Sequence, residues 1–301
     1  MPAHGVSAAR TKDDPNPALP VGAGRAIVRP MTMSKRTREY LSRGWTIFPW
    51  DSRIANWVAK ALPVAHRIAE DRDLRRQWLR CGGTWFAGVN ALPNDRFGAV
   101  PQHGVPALGG KAVEFAQNVS GLTDIEWDPA QISICYPGYP QPWEGESPSA
   151  FRFRRDRDAA HVDGLMRQDP GRRRKLGETH AFILGLPMTD VPGRAAPLVV
   201  YEGSHEIIRT AFQARFAGIV PEHWTEEDLT DAYVAARREA FERCPRVTVA
   251  ARPGEAYLVH RLAVHGVAPW SSDRTDGMRM IAYFRPEPGQ GHGPDWWLNA
   301  P

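Results

Sequence analysis

The chain has 301 residues, 42% of them hydrophobic and 24% charged, so it can form a substantial core and is not broadly disordered. Thirty-eight basic residues against 34 acidic ones leave a net charge of only +4, too mild to imply nucleic acid. The three cysteines, Cys81, Cys135 and Cys244, form no CxxC, which argues against a disulfide framework and fits a reducing, cytoplasmic setting. No apolar run approaches a membrane span, and the N-terminus lacks the apolar segment of a leader.

Residues 1–33 are rich in Pro, Ala and Gly and read as a flexible arm, followed by one domain over 34–301. Ser34 suits a helix N-cap, the helix runs over 35–42, and Gly44 ends it. A strand follows at 45–48. Apolar residues at three-to-four spacing predict two helices, 54–62 and 64–79, separated near Pro63. A strand is expected at 85–92, a Pro- and Gly-rich loop at 93–110, and a short helix at 111–118. Residues 131–136 alternate polar and apolar and predict a half-buried strand, whereas 139–157 reads as irregular. Strands follow at 179–188 and 198–201, then a helical insertion near 206–243 with helices at 206–217 and 226–243. The last strands are 247–249, 256–259 and 279–284, the first two joined at Pro253-Gly254. Helices gather in the first third and in one insertion, and short strands fill the remainder. The pattern predicts a mainly β double-sheet or closed architecture with flanking helices.

Within this frame, His161-Val162-Asp163 places an imidazole and a carboxylate two residues apart. On an extended segment the two side chains share a face and can address one metal ion. His265, in Val264-His265-Gly266, is the candidate third ligand, brought in by the fold. Two histidines and one carboxylate leave three positions open on an octahedral metal, as in non-haem Fe(II) oxygenases. Arg279 opens an apolar strand, and a guanidinium buried there needs an anion such as a dicarboxylate. Arg274 competes with Arg279 but sits in a polar turn. His260 competes with His265, but five residues apart on one strand the two would face opposite ways. His180 could line a pocket, though a core role fits it better.

The motifs His161-Val162-Asp163, Leu198 to His205 (LVVYEGSH), Pro253-Gly254-Glu255, His265-Gly266 and Arg279-Met280-Ile281 occur in an order that resembles the phytanoyl-CoA dioxygenase-like branch of the Fe(II)/2-oxoglutarate oxygenases. The resemblance spans roughly residues 36 to 286. It implies a double-stranded β-helix, a jelly-roll and cupin-like core. It also implies Fe(II) held by His161, Asp163 and His265, with Arg279 on the far carboxylate of 2-oxoglutarate. O2 would be the co-reactant, a C–H bond of a small molecule would be oxidised, and succinate and CO2 would be released. His205, in the Gly-Ser-His turn, is not read as a ligand. Val267 departs from the small hydroxyl residue the branch often carries two positions after the distal histidine. A carboxylate at 163 points to hydroxylation or a related oxidation rather than to halogenation.

The run Arg152, Arg154, Arg155, Arg157, Arg167, Arg172, Arg173, Arg174 and Lys175 reads either as a solvated loop or as a lid that attracts an anionic substrate. Arg279 and Arg285 are spaced like the paired arginines of nucleic-acid demethylases, but Ile281 and Tyr283 replace the polar residues between them, which argues against a nucleic-acid substrate. Two other classes stay open from the residues alone. One is a cupin-like binding protein without turnover, and the other is a zinc hydrolase, which leaves Arg279 without a purpose.

Overall fold

In the computed structural model, residues 33–169 and 173–301 are described, so the arm read over 1–33 falls outside them apart from Met33. Helix α1 (Lys35–Arg43) starts where the Ser34 side chain accepts from the Thr37 N–H and stops at Gly44, whose N–H bonds to the Tyr40 carbonyl. Strand β1 (Trp45–Phe48) follows. Helix α2 (Ser52–Glu70) runs straight through Pro63 and ends at Asp71, where α3 (Arg72–Trp78) begins. The expected break at Pro63 is therefore displaced. Ile54, Trp57, Val58, Ala61, Val64, Ala65 and Ile68 form one buried stripe across the proline, and its packing offsets the missing backbone bond. Asp71 makes the real boundary: its N–H closes on Arg67 and its carboxylate caps Asp73 and Leu74.

Strands β2 (Leu79–Arg80) and β3 (Trp85–Phe86) are short, because the chain turns at 89–90 rather than extending to 92. Helix α4 (Lys111–Ser120) precedes strand β4 (Gln131–Cys135), which is buried along its whole length rather than half-buried. Helix α5 (Pro148–Asp156) replaces the irregular stretch expected there. Ser147 caps it, but it buries no residue, so it carries no apolar period to read. A hairpin of β5 (Leu165–Gln168) and β6 (Arg173–Leu176) lies within the basic run. Then come β7 (Phe182–Pro187), β8 (Leu198–Tyr201), α6 (Ser204–Phe216) and α7 (Thr230–Arg243), with a 3-10 turn at Pro221–Glu226 between the helices. The chain finishes with β9 (Arg246–Val249), β10 (Ala256–His260), β11 (His265–Val267), β12 (Arg279–Phe284) and α8 (Pro294–Asn299).

Among the described residues the large sheet has the order β1-β10-β7-β12-β4-β3-β2, and a second sheet the order β11-β8-β9. An antiparallel bridge between His161 and His265 adds an edge to the second sheet beside β11. Followed along the chain, β4 lies in the large sheet, His161 in the small, β7 in the large, β8 and β9 in the small, β10 in the large, β11 in the small and β12 in the large. That interleaving of antiparallel strands between two sheets is a jelly roll, the double-stranded β-helix.

Alternation sorts the side chains. Leu184, Leu186, Leu258, Met280 and Ala282 pack with α2 and α4, whereas Ile183, Tyr257, Val259, Ile281 and Tyr283 pack with Leu198 and Val200 of the small sheet. Helices α6 and α7 cover the small sheet through Ile208, Phe212, Tyr233 and Ala240. Arg261, after β10, is 1% exposed and donates to the carbonyls of Ala181, Trp296, Trp297, Ala300 and Pro301, which ties α8 to the sheet.

Asp51 joins two helices: its carboxylate accepts from the Arg53 N–H at the start of α2 and from the Lys111 N–H at the start of α4. Burial pushes its carboxyl up, but these backbone bonds and Arg53 outweigh that and hold it below the usual range. A depressed folded value means that the contribution is complete above about pH 4 and is lost as protons bind below it. Asp51→Ala is expected to cost about 1–3 kcal/mol at neutral pH. Denaturant unfolding at pH 7 and pH 3 should show that cost shrinking in acid.

Candidate active site

His161 and His265 are directly opposed. The His161 N–H donates to the His265 carbonyl at 2.8 Å, and the His265 N–H returns the bond at 2.9 Å. Opposed residues of an antiparallel pair project to one face, and here the ring centres lie 4.9 Å apart. His265 follows a turn over residues 261–264, so it does not share a strand with His260 as the spacing suggested. His260 instead packs on His205, with ring centres 4.9 Å apart, and bonds Arg209 and the Leu262 N–H, and neither His260 nor His205 lines the cavity described below.

The strand ends immediately after His161, so Asp163 sits in a turn rather than on an extended segment. It still reaches the histidines: its Oδ1 is 3.1 Å from His161 Nε2, and its Oδ2 is 3.7 Å from His265 Nε2. Two glycines permit this closeness. A Cβ on Gly164, at φ 84°, would meet the Glu178 carbonyl oxygen at 2.3 Å, and one on Gly266 would meet the Asp158 carbonyl oxygen at 2.3 Å.

Upstream, Asp158 and Ala159 both hold left-handed backbone, at φ 56° and 50°, which costs non-glycine residues energy. The buried Asp158 carboxylate fixes this turn. Arg246 of β9 grips it through Nε at 2.8 Å and Nη2 at 2.6 Å, and Tyr201 donates to it at 3.3 Å.

The donor chemistry suits a metal. Each histidine Nδ1 lies 2.9 Å from a backbone carbonyl, Ala159 for His161 and Ala263 for His265. A carbonyl only accepts, so both Nδ1 atoms carry the proton, which leaves the His265 Nε2 lone pair to bind. Burial lowers His161, but Asp163, 3.1 Å from its Nε2, outweighs that and raises it, so without a metal this nitrogen shares with the carboxylate a proton that a cation would displace. Burial drives His265 down to about 4, against the opposing pull of Asp163, so it is neutral at pH 7. Burial raises Asp163, but Arg285, His265 and His161 together hold it well below the carboxylate range, so it is ionised. The three donor atoms lie within 4.8 Å of one another. Bonds of about 2.1 Å to one ion at right angles would place donors about 3 Å apart, so the cluster closes round a cation with small shifts.

The triad faces a cavity of about 1270 Å³ between the two sheets. Its polar wall includes Gln131 and Ser133, the polar side of β4 that reads as solvent-facing in the sequence. His180 also lines it, bonded to the Arg285 carbonyl and Glu178. Beyond Asp163, the acidic lining comprises Asp124, Glu126, Asp128, Asp158, Glu178 and Glu287, against Arg96 and Arg285. No described arginine of the basic run lines it, and Arg172 falls outside the described residues. Arg154 pairs with Glu146, Arg173 with Asp228, Arg157 lies over Phe241, and Arg174 over Tyr233.

Arg279 is 4% exposed. Its Nη2 donates to the Tyr283 hydroxyl at 3.1 Å, Tyr257 donates to the same oxygen at 3.0 Å, and Nη1 is buried without a partner. Arg279 lies off the triad cavity, which it meets through Tyr283, and lines a second small cavity with Tyr257 and Ile281. Among the described residues no carboxylate pairs with it. Its rival Arg274 is half-exposed and pairs with Asp276 at 3.2 Å. Sequence reasoning did not identify Tyr257, Tyr283 or Gln131 as site residues. The alternation of β4 and β12 could have flagged Gln131 and Tyr283, because each shares a face with an expected site residue.

No protein-family description and no curated protein sequence matches the chain. Solved structures do. The chain is similar to the non-heme alpha ketoglutarate dependent carbocyclase SnoK from nogalamycin biosynthesis, at 17% identity over 86% of this chain and 88% of that one, with a TM-score of 0.44. It is also similar to HygX from Streptomyces hygroscopicus, solved with nickel, 2-oxoglutarate and hygromycin B, at 14% identity over 86% and 88%, TM-score 0.45. A third is EctD from S. alaskensis with bound Fe, at 14% identity over 84% and 75%, TM-score 0.44. At such identities and scores, the fold and the site rest on this chain's own pairings and distances.

Arg246→Ala leaves the Asp158 carboxylate buried without its main partner. The expected loss is about 2–4 kcal/mol, below the full figure for a buried pair because the Arg246 side chain is 42% exposed. A thermal unfolding midpoint equal to that of the parent protein would rule the clamp out.

Proposed function

We propose that the protein is an Fe(II)/2-oxoglutarate-dependent oxygenase of the phytanoyl-CoA dioxygenase-like branch, acting on a small molecule. His161, Asp163 and His265 would hold the iron. The observation that carries the reading beyond a plain metal site is Arg279. An arginine stays charged, and a buried cation with a bare N–H and no carboxylate is costly until an anion arrives. A dicarboxylate cosubstrate would supply one: Arg279 would hold a carboxylate, and the Tyr283 hydroxyl, which accepts from Arg279 and Tyr257, keeps its own proton to donate to it.

Bound iron and 2-oxoglutarate would supply oxygen activation, coupling decarboxylation to succinate and CO2 with oxidation of a substrate C–H bond. The chain's own part is to hold and to shield. The Ala159 and Ala263 carbonyls fix both imidazoles with Nε2 inward. The two sheets bury His265 and most of Asp163, while the His161 side chain is 47% exposed and the cavity leaves room for a substrate to cover it. In the cavity lining Asp158, Asp163 and Glu126 are paired with arginines. Asp124, Asp128, Glu178 and Glu287 make no salt bridge to an arginine among the described residues, and they favour a substrate that carries an amine over the anionic one suggested by the basic run.

Succinate release is expected to require both iron and 2-oxoglutarate, and to fall to background in His161→Ala and Asp163→Ala. Normal turnover in either variant refutes the reading. Arg279→Ala is expected to raise the half-saturating 2-oxoglutarate concentration by about 10–100-fold, from the loss of charge-assisted bonds worth about 1.5–3 kcal/mol. In a panel of amine, neutral and carboxylate compounds, amines should stimulate succinate release most. Stimulation by carboxylates alone would reverse the charge assignment.

A further inference from the structure

Arg285 follows β12 and has no part in binding the cosubstrate as argued for Arg279, yet it is held from all sides. Its Nε donates to Asp163 Oδ2 at 2.5 Å and its Nη1 to Gln131 Oε1 at 2.6 Å. Gln131 is fixed in turn by donating to the Ala87 carbonyl at 2.7 Å. The Arg285 N–H donates to Asp128 Oδ1 at 2.8 Å, and its carbonyl lies 3.1 Å from His180 Nδ1. Its guanidinium carbon lies 5.4 Å from the centre of the Tyr283 ring, whose hydroxyl accepts from Arg279. One side chain therefore touches both the acid of the triad and the ring that carries the carboxylate pocket.

A guanidinium beside a cation site has two opposite effects. Its charge repels a dication and weakens binding. Its Nε bond fixes one oxygen of the carboxylate while Gln131 braces Nη1, and partners of metal ligands that orient them in this way strengthen binding. The geometry separates the two oxygens of Asp163: Oδ2 is taken by Arg285, and Oδ1 faces His161 Nε2. We propose that Arg285 is a positioning residue that claims one oxygen of Asp163 and leaves the other as the single carboxylate donor to the metal. This rests on the reading that His161, Asp163 and His265 hold a divalent cation. A carboxylate bound through both oxygens would leave two of six coordination positions open, whereas one bound through a single oxygen leaves three. Three open positions are what a chelating cosubstrate and a further small reactant together require.

The test is anaerobic titration of the metal-free full chain with Mn(II) and Co(II), comparing the parent protein with R285A and R285K. R285A is expected to bind about 10–100-fold more weakly despite losing a positive charge. Its Co(II) absorption bands should shift in position and intensity as the freed oxygen enters the coordination sphere. R285K keeps the charge but lacks the fork that reaches Asp163 and Gln131 together, and it should bind more weakly than the parent protein. Equal or tighter binding in R285A, an unchanged Co(II) spectrum, or parental affinity in R285K overturns the proposal. Unfolding midpoints of the metal-free forms check that the variants are folded. Should R285A not fold, Q131L serves instead: it keeps the guanidinium but removes its brace, and parental affinity and spectrum there overturn the proposal equally. Failure of the parent protein to bind either metal removes the metal reading itself, a result distinct from any difference between variants.

Discussion

Two backbone hydrogen bonds join His161 to His265, and the site depends on them. They bring together segments far apart in sequence, put both imidazoles on one face, and set the edge of the smaller sheet. The ring orientation, the reach of Asp163 and the mouth of the cavity all follow from that register. The cost is carried just upstream, where Asp158 and Ala159 adopt left-handed backbone. The turn persists because Arg246 and Tyr201, from the neighbouring strands β9 and β8, hold the Asp158 carboxylate.

A second theme is the handling of buried charge. Asp158 and Asp163 are each held by an arginine, Arg246 and Arg285. Arg261 is satisfied entirely by carbonyls. Arg279 stands apart, with two tyrosine hydroxyls nearby and one nitrogen bare. Glu146 and Arg154 also carry a buried bare atom, but they pair with each other, whereas among the described residues no carboxylate faces Arg279.

The sequence made the framework legible because its signals are local. Short apolar runs between Pro and Gly turns marked β1, β7, β8, β10 and β12, and the HxD pair and His265 stood out by residue type. What escaped it depended on contacts across the fold. Pro63 is tolerated because a buried stripe passes over it, and α5 buries no residue fully and offers only Phe151 and Phe153, two apart, as large apolar marks. β4 read as half-buried because alternation reveals two faces without saying which is wet. In this chain its polar face turns into the cavity. The arginines near the triad suggested a charged lid, but most are spent on glutamate, aspartate and aromatic partners, a commitment that no spacing announces. The meeting of Arg285 with Asp163 likewise exists only once β12 pairs beside β4.

The carbonyl cage around Arg261 makes the C-terminal segment part of the frame that positions His265. Four of its five acceptors come from residues 296 to 301, and the guanidinium they surround begins the turn that delivers His265. Trimming those few residues would strand a buried cation with the Ala181 carbonyl alone. A cut made some thirty residues from His265 in sequence would thus loosen it.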